Sequence, residues 1–281
     1  MILSTVTNNK FFFSSVNLIE SYKQNSFNKE ILFYYFDLDE QCLLFLKNRY
    51  GRQIILKEVE RPCDHAHSPR TFFYKIAAIY GASKLGHDFI YSDATNAFVN
   101  MTVELKKDMS ERNCLFMKYP FEALKNKYWI TKRCFEKMNC AEERYTEGPQ
   151  YWAGYQCYKD NEVSRQMIDE MYSHALDKEI IEPDTTVKYP DGDTSICREH
   201  RQDQAIFSLL IEKYNLQQDY KNDILNKYGD QQTLVSYDRS YVFDTKKIVL
   251  FSRMSKFGDY RFISDALKQK MSFLCNNGIQ C

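Results

Sequence analysis

The segment REHRQDQAIFSLLIEKY, residues 198–214, carries its chemically active groups immediately before an apolar run. That run repeats at helical spacing and predicts one buried helix face, formed by Ile206, Leu209, Leu210 and Tyr214. The polar residues therefore fall on the first turn of the helix: His200, Arg201, Asp203 and Gln204. The helix dipole favours a carboxylate at this position, where Asp203 either caps the helix or faces a cleft.

Polar side chains also follow three apolar segments that are typical of strands: 2–7, 30–39 and 87–99. Their ends carry Thr7 and Asn8, Asp37 and Asp39, and Asp93 with Thr95 and Asn96. Ligands of open α/β sheets bind beyond the carboxyl ends of the strands, so we expect a pocket that hydrogen-bonds sugar and base. An Asp that closes a strand is also a common turn residue, so Asp93 alone is weak support.

The elements around these residues alternate between strand and helix patterns. Helical patterns at 11–24, 40–51 and 70–85 separate the strand segments, with a further strand at 53–59. This succession predicts an α/β fold whose mainly parallel central sheet is flanked by helices on both faces. In the less regular second half, we predict a strand at 150–159, a helix at 161–177, a long turn-rich loop at 182–200, and edge strands at 233–251.

Two aromatic residues and a glycine lie within the strand at 150–159. A glycine inside a strand, here Gly154, indicates close approach of another group to the backbone. Tyr151 and Trp152 either stack on a sugar ring or belong to the core, and Gln150 is a candidate hydrogen-bond partner for a hydroxyl.

Composition excludes several classes of partner. The 281 residues suit one large α/β domain or two small ones, and 38 basic residues balance 38 acidic ones. Zero net charge gives no general attraction to nucleic acid or anionic membranes. No apolar run is long enough to span a membrane, and the N-terminus lacks a signal-peptide pattern, so we predict a cytoplasmic protein.

Nine cysteines without a C-x-x-C pair predict reduced, mostly structural thiols. The cluster CDHAH at 63–67 has no second ligand cluster, which argues against a structural metal there. The chain also lacks the glycine-rich motifs of dinucleotide and P-loop sites and the G-x-S-x-G motif of hydrolases.

Taken in order, these segments resemble the GT-A fold of glycosyltransferases that use nucleotide-activated sugars. The resemblance covers about residues 1–215 and is strongest to glycan-building transferases of bacteria, animals and large DNA viruses, including the chlorella-virus type that glycosylates capsids. STVTNNKFF, LFYYFDLDEQCLLFLK and FIYSDATNAFV are similar to the donor-side strands, and GPQYWAGYQCYKDN to the acceptor-side segment. HRQDQAIFSLL is similar to the H-R-x-D-Q-S-x-x-S motif and is the most specific match.

The resemblance implies one GT-A domain over 1–281, with a nucleotide-sugar donor half at 1–100 and an acceptor half with a C-terminal tail at 101–281. It implies that a glycosyl group moves from a nucleotide diphosphate sugar, such as UDP-xylose or a UDP-hexose, to a glycan hydroxyl. The implied donor contacts are Thr7, Asn8, Asp37, Lys75, Asp93, Thr95, Arg201 and Gln204. The implied acceptor contacts are Gln150, Tyr151, Trp152, Gly154 and His200.

Asp203 matches the family's carboxylate at the start of a helix after the acceptor loop. As a base below the anomeric carbon it would give inversion, which we favour, whereas a retaining enzyme would use it to orient the donor.

The donor motif departs from the family pattern. The usual Asp-x-Asp holds Mn²⁺ or Mg²⁺ against the diphosphate, and here it is reduced to Asp93-Ala94-Thr95. No histidine follows His200, so the family's late metal-binding histidine is also missing. Either Asp93 still holds a divalent ion, or a cation such as Arg201 or Lys75 neutralises the leaving group; metal dependence stays open.

Two alternatives remain open at this point. A sugar nucleotidyltransferase would need a glycine-rich basic loop after the first strand, which TNNKFFF lacks. A catalytically inactive sugar-binding or assembly module of the same fold would explain the reduced donor motif. The Asn-, Lys-, Tyr- and Phe-rich composition suggests an AT-rich genome and a viral source.

Overall fold

The computed structural model describes residues 1–26, 28–96, 98, 111–119, 124–182 and 197–217, together with short strands at 234–237, 240–243 and 250–251. The predicted loop at 182–200 falls largely outside the described residues, as does most of the C-terminal tail.

A six-stranded sheet has the order β3-β2-β1-β4-β6-β5. Its strands are β1 (Ile2–Thr7), β2 (Ile31–Tyr35), β3 (Ile54–Glu58), β4 (Phe89–Ser92), β5 (Cys114–Lys118) and β6 (Tyr151–Tyr158). The first four are parallel, and β6 runs antiparallel to both of its neighbours. The predicted mixed, mainly parallel sheet is therefore confirmed. A separate antiparallel sheet contains β7 (Leu234–Tyr237), β8 (Ser240–Phe243) and β9 (Leu250–Phe251), in line with the predicted edge strands.

The longer helices are α1 (Phe12–Asn25), α2 (Glu40–Tyr50), α3 (Phe73–Ser83), α6 (Glu162–Ala175) and α8 (Gln202–Lys213). Shorter ones are α4 (Lys132–Lys137), α5 (Glu143–Thr146) and α7 (Lys178–Ile181). Single 3₁₀ turns occupy Asn9–Phe11, Gly51–Gln53, Asp64–His67, Pro69–Thr71 and Asn126–Tyr128.

Two apolar clusters pack on opposite faces of the sheet because side chains alternate along each strand. In β2, Leu32 and Tyr34 join the cluster that contains α3, α6 and α8, whereas Ile31 and Phe33 join the cluster of α1 and α2. The strands are covered on both faces, as parallel strands usually are, and this explains why β2 is an uninterrupted apolar run in the sequence.

Strand β6 breaks its alternation beside Gly154. Ala153 belongs to one apolar cluster and Tyr155 to the other, although they are two residues apart and would normally share a face. The pairing with β5 is irregular at the same place, since Phe116 pairs with Gln156 but Lys118 pairs with Tyr151. Such a bulge redirects side chains locally, and here it lies next to the polar residues that follow β4.

Among the described residues, no helix combines the length and the apolar character needed to cross a membrane.

Candidate functional site

The polar residues predicted at three strand ends do meet at one edge of the sheet. Thr7 pairs with Tyr35 in the parallel register, so β1 and β2 end side by side. Beyond them, Phe36 N–H donates to Thr7 O at 3.1 Å, and Asp39 N–H donates to the Asn9 side-chain oxygen at 2.9 Å. These bonds fix the two strand-end loops against each other.

Asn8 and Asp37 differ in what their side chains already contact. Asn8 Oδ1 is shielded from solvent and accepts no hydrogen bond from any described residue. Asp37 is exposed and forms a two-fold ion pair with Arg61, with N–O distances of 3.3 and 3.2 Å. Asn8 therefore offers an unused acceptor, whereas Asp37 binds a ligand only together with Arg61 or in exchange for it.

A buried ammonium group lies between two carboxylates at the same edge. Lys75 Nζ on α3 is 2.9 Å from Asp203 Oδ2 and 3.2 Å from Asp93 Oδ1. Lys75 is 7% exposed and Asp203 is 8% exposed, while the side chain of Asp93 is 30% exposed. We call these three residues the Lys75 cluster; with both carboxylates ionised, it carries a net charge of −1.

Burial and charge compete within the Lys75 cluster. Burial alone would lower the pKa of Lys75, but the carboxylates of Asp203 and Asp93 outweigh it and raise that pKa, so the ammonium stays charged. Burial raises the pKa of Asp203 against the opposing effect of Lys75. The helix dipole at the start of α8 favours the ionised carboxylate, but burial is the larger effect, raises the pKa and makes Asp203 more basic than an exposed carboxylate.

Asp93 is held on several sides. Tyr91 Oη donates to Asp93 Oδ1 at 3.0 Å, and the Asp93 N–H donates to Gly154 O at 2.9 Å. The Asn96 amide donates to the same Gly154 oxygen at 2.8 Å. Both side-chain contacts, with Tyr91 and with Lys75, are made by Asp93 Oδ1, and neither involves Oδ2.

Gly154 is confirmed as a point of close backbone approach. A Cβ atom there would lie 2.6 Å from Trp152 Nε1 and 2.9 Å from Asp93 Oδ2, both shorter than real Cβ contacts. The lack of a side chain thus lets β6 pass directly against the donor-motif aspartate and brings the Trp152 ring beside it.

The remaining residues of the HRQDQ segment form a second layer around Asp203. The Arg201 guanidinium stacks 3.9 Å from the centre of the Trp129 ring. Gln204 donates its side-chain amide to Gln150 Oε1 at 2.7 Å, and Gln150 in turn donates to Asn126 Oδ1 at 2.6 Å. Gln150 and Gln204 therefore form a buried amide chain that supports the first turn of α8.

Three predicted acceptor contacts lie inside the core: Gln150 of the amide chain, which is 0% exposed, Tyr151 and His200. Tyr151 is 0% exposed, and its N–H donates to Ser208 Oγ at 3.0 Å. His200 is 3% exposed, and burial lowers its pKa to about 4, so it is neutral at pH 7. The side chains of Tyr151 and His200 do not reach the surface, where a sugar would bind, and both are better explained as packing residues. Trp152 is partly exposed, and Thr95 lies partly exposed in the turn after β4.

Residues with a strained backbone conformation also lie at this edge of the sheet. Among the described residues, five other than glycine have positive φ; two are asparagines, which tolerate it, and the others are Asp37, Phe72 and Gln202. Phe72, with φ of 55°, precedes Lys75 by one turn, and Gln202, with φ of 24°, directly precedes Asp203. Strained positions of this kind cluster at functional sites because the surrounding structure must hold them.

Sequence reasoning missed Tyr91 and Asn96 as supports of Asp93. A signal for Tyr91 exists, because residues two apart on a strand share a face. It named Lys75 as a donor contact and as an alternative to the metal ion, but it did not anticipate the two ion pairs of this lysine. The available signal was a lysine within the apolar helix FFYKIAAIY, since a buried charge needs a partner.

The CDHAH segment is not a metal centre in the described part of the chain. His65 Nε2 lies 2.9 Å from Ala175 O and 3.4 Å from Cys63 Sγ, which accounts for its ring nitrogen. No group of three histidine, cysteine, aspartate or glutamate side chains among the described residues is arranged to hold a metal ion. All seven cysteines in that part of the chain are free thiols.

One solved structure matches this chain over nearly its whole length. The crystal structure of an active-site mutant of LgtC has a TM-score of 0.52 and 13% identity, and covers 99% of this chain and 96% of that one. The protein has the GT-A fold. The likeness covers the six-stranded sheet and the edge at which the Lys75 cluster lies.

Other solved structures match over part of the chain. LgtC, a galactosyltransferase in complex with donor and acceptor sugar analogues, has a TM-score of 0.45 and 16% identity, over 75% of this chain and 70% of that one. Core-mannan synthase A from Aspergillus fumigatus, in its Mn/GDP form, has a TM-score of 0.42 and 8% identity, over 75% of this chain and 69% of that one. No family model and no curated protein matches the sequence.

Proposed function

We propose that the protein is a glycosyltransferase that moves one sugar from a nucleotide diphosphate sugar to a hydroxyl of a glycan. The bond between the anomeric carbon and the diphosphate breaks, and the nucleotide diphosphate leaves with the electron pair. A bond forms between that carbon and the acceptor oxygen, and the hydroxyl proton passes to a base on the protein.

The observation that carries this proposal is the Lys75 cluster at the carboxyl edge of a GT-A sheet. Ligands of open α/β sheets bind at this edge, and buried groups with shifted pKa values concentrate at functional sites. A structural role alone accounts for the cluster poorly, because a buried ion pair contributes little net stability relative to apolar side chains.

Asp203 is the base in this proposal. It needs to be ionised before the reaction and basic enough to take a proton, and burial moves its pKa in the required direction. Attack by an acceptor activated by Asp203 on the face opposite the diphosphate inverts the anomeric centre. If Asp203 instead orients the donor, the product keeps its configuration, so product stereochemistry tests this assignment.

The donor contacts extend from the cluster to the first two strand ends. Thr7, Asn8 and Asp37 lie at these strand ends and are the proposed nucleotide contacts. Asp93 and Thr95 are the proposed contacts of the donor sugar. Arg201, which directly precedes α8, is a further donor contact in this proposal, and Gln204 supports the first turn of α8 through Gln150. Among the predicted acceptor contacts we retain Trp152 and Gly154, because the tryptophan ring is partly exposed next to Asp93.

We propose a UDP-sugar, such as UDP-xylose or a UDP-hexose, as the donor. The donor half at 1–100 would supply Lys75 and Asp93, and the acceptor half at 101–281 would supply Asp203 and Trp152. The cytoplasmic location and the viral source stay predictions from the sequence.

The second candidate is a sugar-binding module that kept the fold without the reaction. It is favoured by one observation, the replacement of the second donor-motif carboxylate by Thr95. Such a module would bind a nucleotide sugar or a glycan without releasing nucleotide diphosphate.

The test has two stages. First, a thermal-shift screen against UDP-, GDP- and CMP-sugars identifies the donor, since a ligand at 100 times its Kd adds about 2.7 kcal/mol of stability. Second, release of the nucleotide diphosphate from that donor is measured with and without a panel of glycan acceptors. We expect Asp203→Asn to lower turnover by about 10²- to 10⁴-fold, the usual contribution of a positioned base.

The matched control is Asp169→Asn. Asp169 also pairs with a lysine, Lys84 at 2.5 Å, but this pair is on the surface. The control should turn over like the wild type. Wild-type turnover in Asp203→Asn would refute the base assignment, and binding without turnover in the wild type would favour the sugar-binding module.

A further inference from the structure

The donor-motif edge does not fit a divalent cation. Mg²⁺ and Mn²⁺ prefer several oxygen ligands, with carboxylates foremost. Asp93 is the one carboxylate left in the motif, and its Oδ1 already accepts from Tyr91 and pairs with Lys75. The other carboxylate of the cluster, Asp203, pairs with Lys75 at 2.9 Å.

The ammonium group also opposes a cation at this place. A Mg²⁺ ion binds carboxylate oxygen at about 2.1 Å, so on Asp93 it would take Oδ2 and share the carboxylate with Lys75 Nζ, which is 3.2 Å from Oδ1. Both charges are positive, and the site is partly shielded from water, which strengthens their repulsion. Lys75 and a divalent ion therefore compete for the same carboxylates.

We infer that Lys75 replaces the divalent cation, and that its ammonium group binds the diphosphate of the donor without a metal ion. This inference rests on the proposed function. An ammonium group has three N–H donors, and Lys75 has two ion-pair partners, Asp203 at 2.9 Å and Asp93 at 3.2 Å. Two carboxylates can therefore take two of the donors, and the third can bind a phosphate oxygen.

The ammonium group is held firmly enough for this role. Lys75 lies on the first turn of α3, its N–H donates to Phe72 O at 3.0 Å, and the Phe72 ring centre is 5.3 Å from Nζ. A metal ion must be recruited from solution, whereas this charge is fixed in the fold before the donor arrives.

The test compares the affinity of the purified protein for UDP, and for the sugar nucleotide found in the screen, in EDTA and in Mn²⁺. We expect the wild-type Kd in EDTA to lie within about threefold of that in Mn²⁺. Lys75→Met should weaken binding in EDTA at least tenfold, and Lys75→Arg should retain part of it because the charge is kept. Lys84→Met, which removes the surface lysine, should bind like the wild type.

The outcomes separate this inference from the proposed function. A tenfold or greater gain from Mn²⁺ in the wild type would overturn the role of Lys75 while leaving the glycosyltransferase proposal intact. If Lys75→Met binds the nucleotide in EDTA as tightly as the wild type, the role of Lys75 is likewise overturned and the glycosyltransferase proposal stands. The absence of binding to any nucleotide sugar, with or without Mn²⁺, would overturn both. The wild-type comparison decides the question even if Lys75→Met does not fold.

Discussion

The substitution Lys75→Met tests whether the cluster is as buried as its geometry implies. Methionine keeps the length of the side chain and removes the charge, which leaves Asp203, 8% exposed, without its closest ion-pair partner. Removing one partner of a buried pair costs about 3–5 kcal/mol, because the remaining charge stays desolvated. We expect a loss of this size in the free energy of unfolding.

Lys84→Met provides the comparison, because Lys84 and Asp169 form a pair whose side chains are 44% and 52% exposed. Exposed pairs contribute about 0–1 kcal/mol. Urea unfolding at pH 7, followed by circular dichroism, measures both variants, and the double variant Lys75→Met/Asp203→Asn should recover part of the loss because it removes the unpaired charge. Equal stability of the two single variants would refute the buried cluster.

Two further predictions concern residues beside the site. Gly154→Ala should weaken nucleotide-sugar binding and reduce stability by about 1–3 kcal/mol, because its Cβ would lie 2.6 Å from Trp152. The control is Gly51→Ala, at φ of 55° with open space around it, which should lose stability but keep the thermal shift caused by the nucleotide sugar. Burial lowers the pKa of His200 from 6.5 to about 4. As the pH falls through this range, the unfolded chain is protonated at His200 before the native protein is, so the free energy of unfolding decreases. Between pH 7 and pH 4, His200 should lower the free energy of unfolding by about 3 kcal/mol. His200→Gln should remove this pH dependence, and His67→Gln, at an exposed position, should keep it.

Much of the first half of the fold could be predicted because its signals are local. The apolar runs of β1 and β2, the helix pattern of α2 ending at Gly51, and polar residues after each strand are readable within short windows. The first turn of α8 was also predictable, since Asp203 precedes a periodic apolar segment.

The rest depends on contacts between distant segments. Strand β5 and helix α4 lie in stretches without a clear period, and only pairing with β6 and packing in the core define them. Lys75, Asp93 and Asp203 come from three elements, and no spacing in the sequence reveals that one ammonium group joins both carboxylates. The burial of Tyr151 and His200 is likewise set by packing, which the family resemblance that implied their contact with a sugar could not reveal.

The positions where local rules fail converge on one edge of the sheet. A buried lysine, a buried aspartate, a phenylalanine and a glutamine with positive φ, and a strand that breaks its alternation each reduce stability when considered alone. Sequences that fold well keep such conflicts few, and natural proteins retain them mainly where a function requires them. Phe72 and Gln202 lie on the segments that deliver Lys75 and Asp203, so the strain falls on the chain that fixes the two charges. The fold thus places a fixed positive charge between two carboxylates at the carboxyl edge of the sheet.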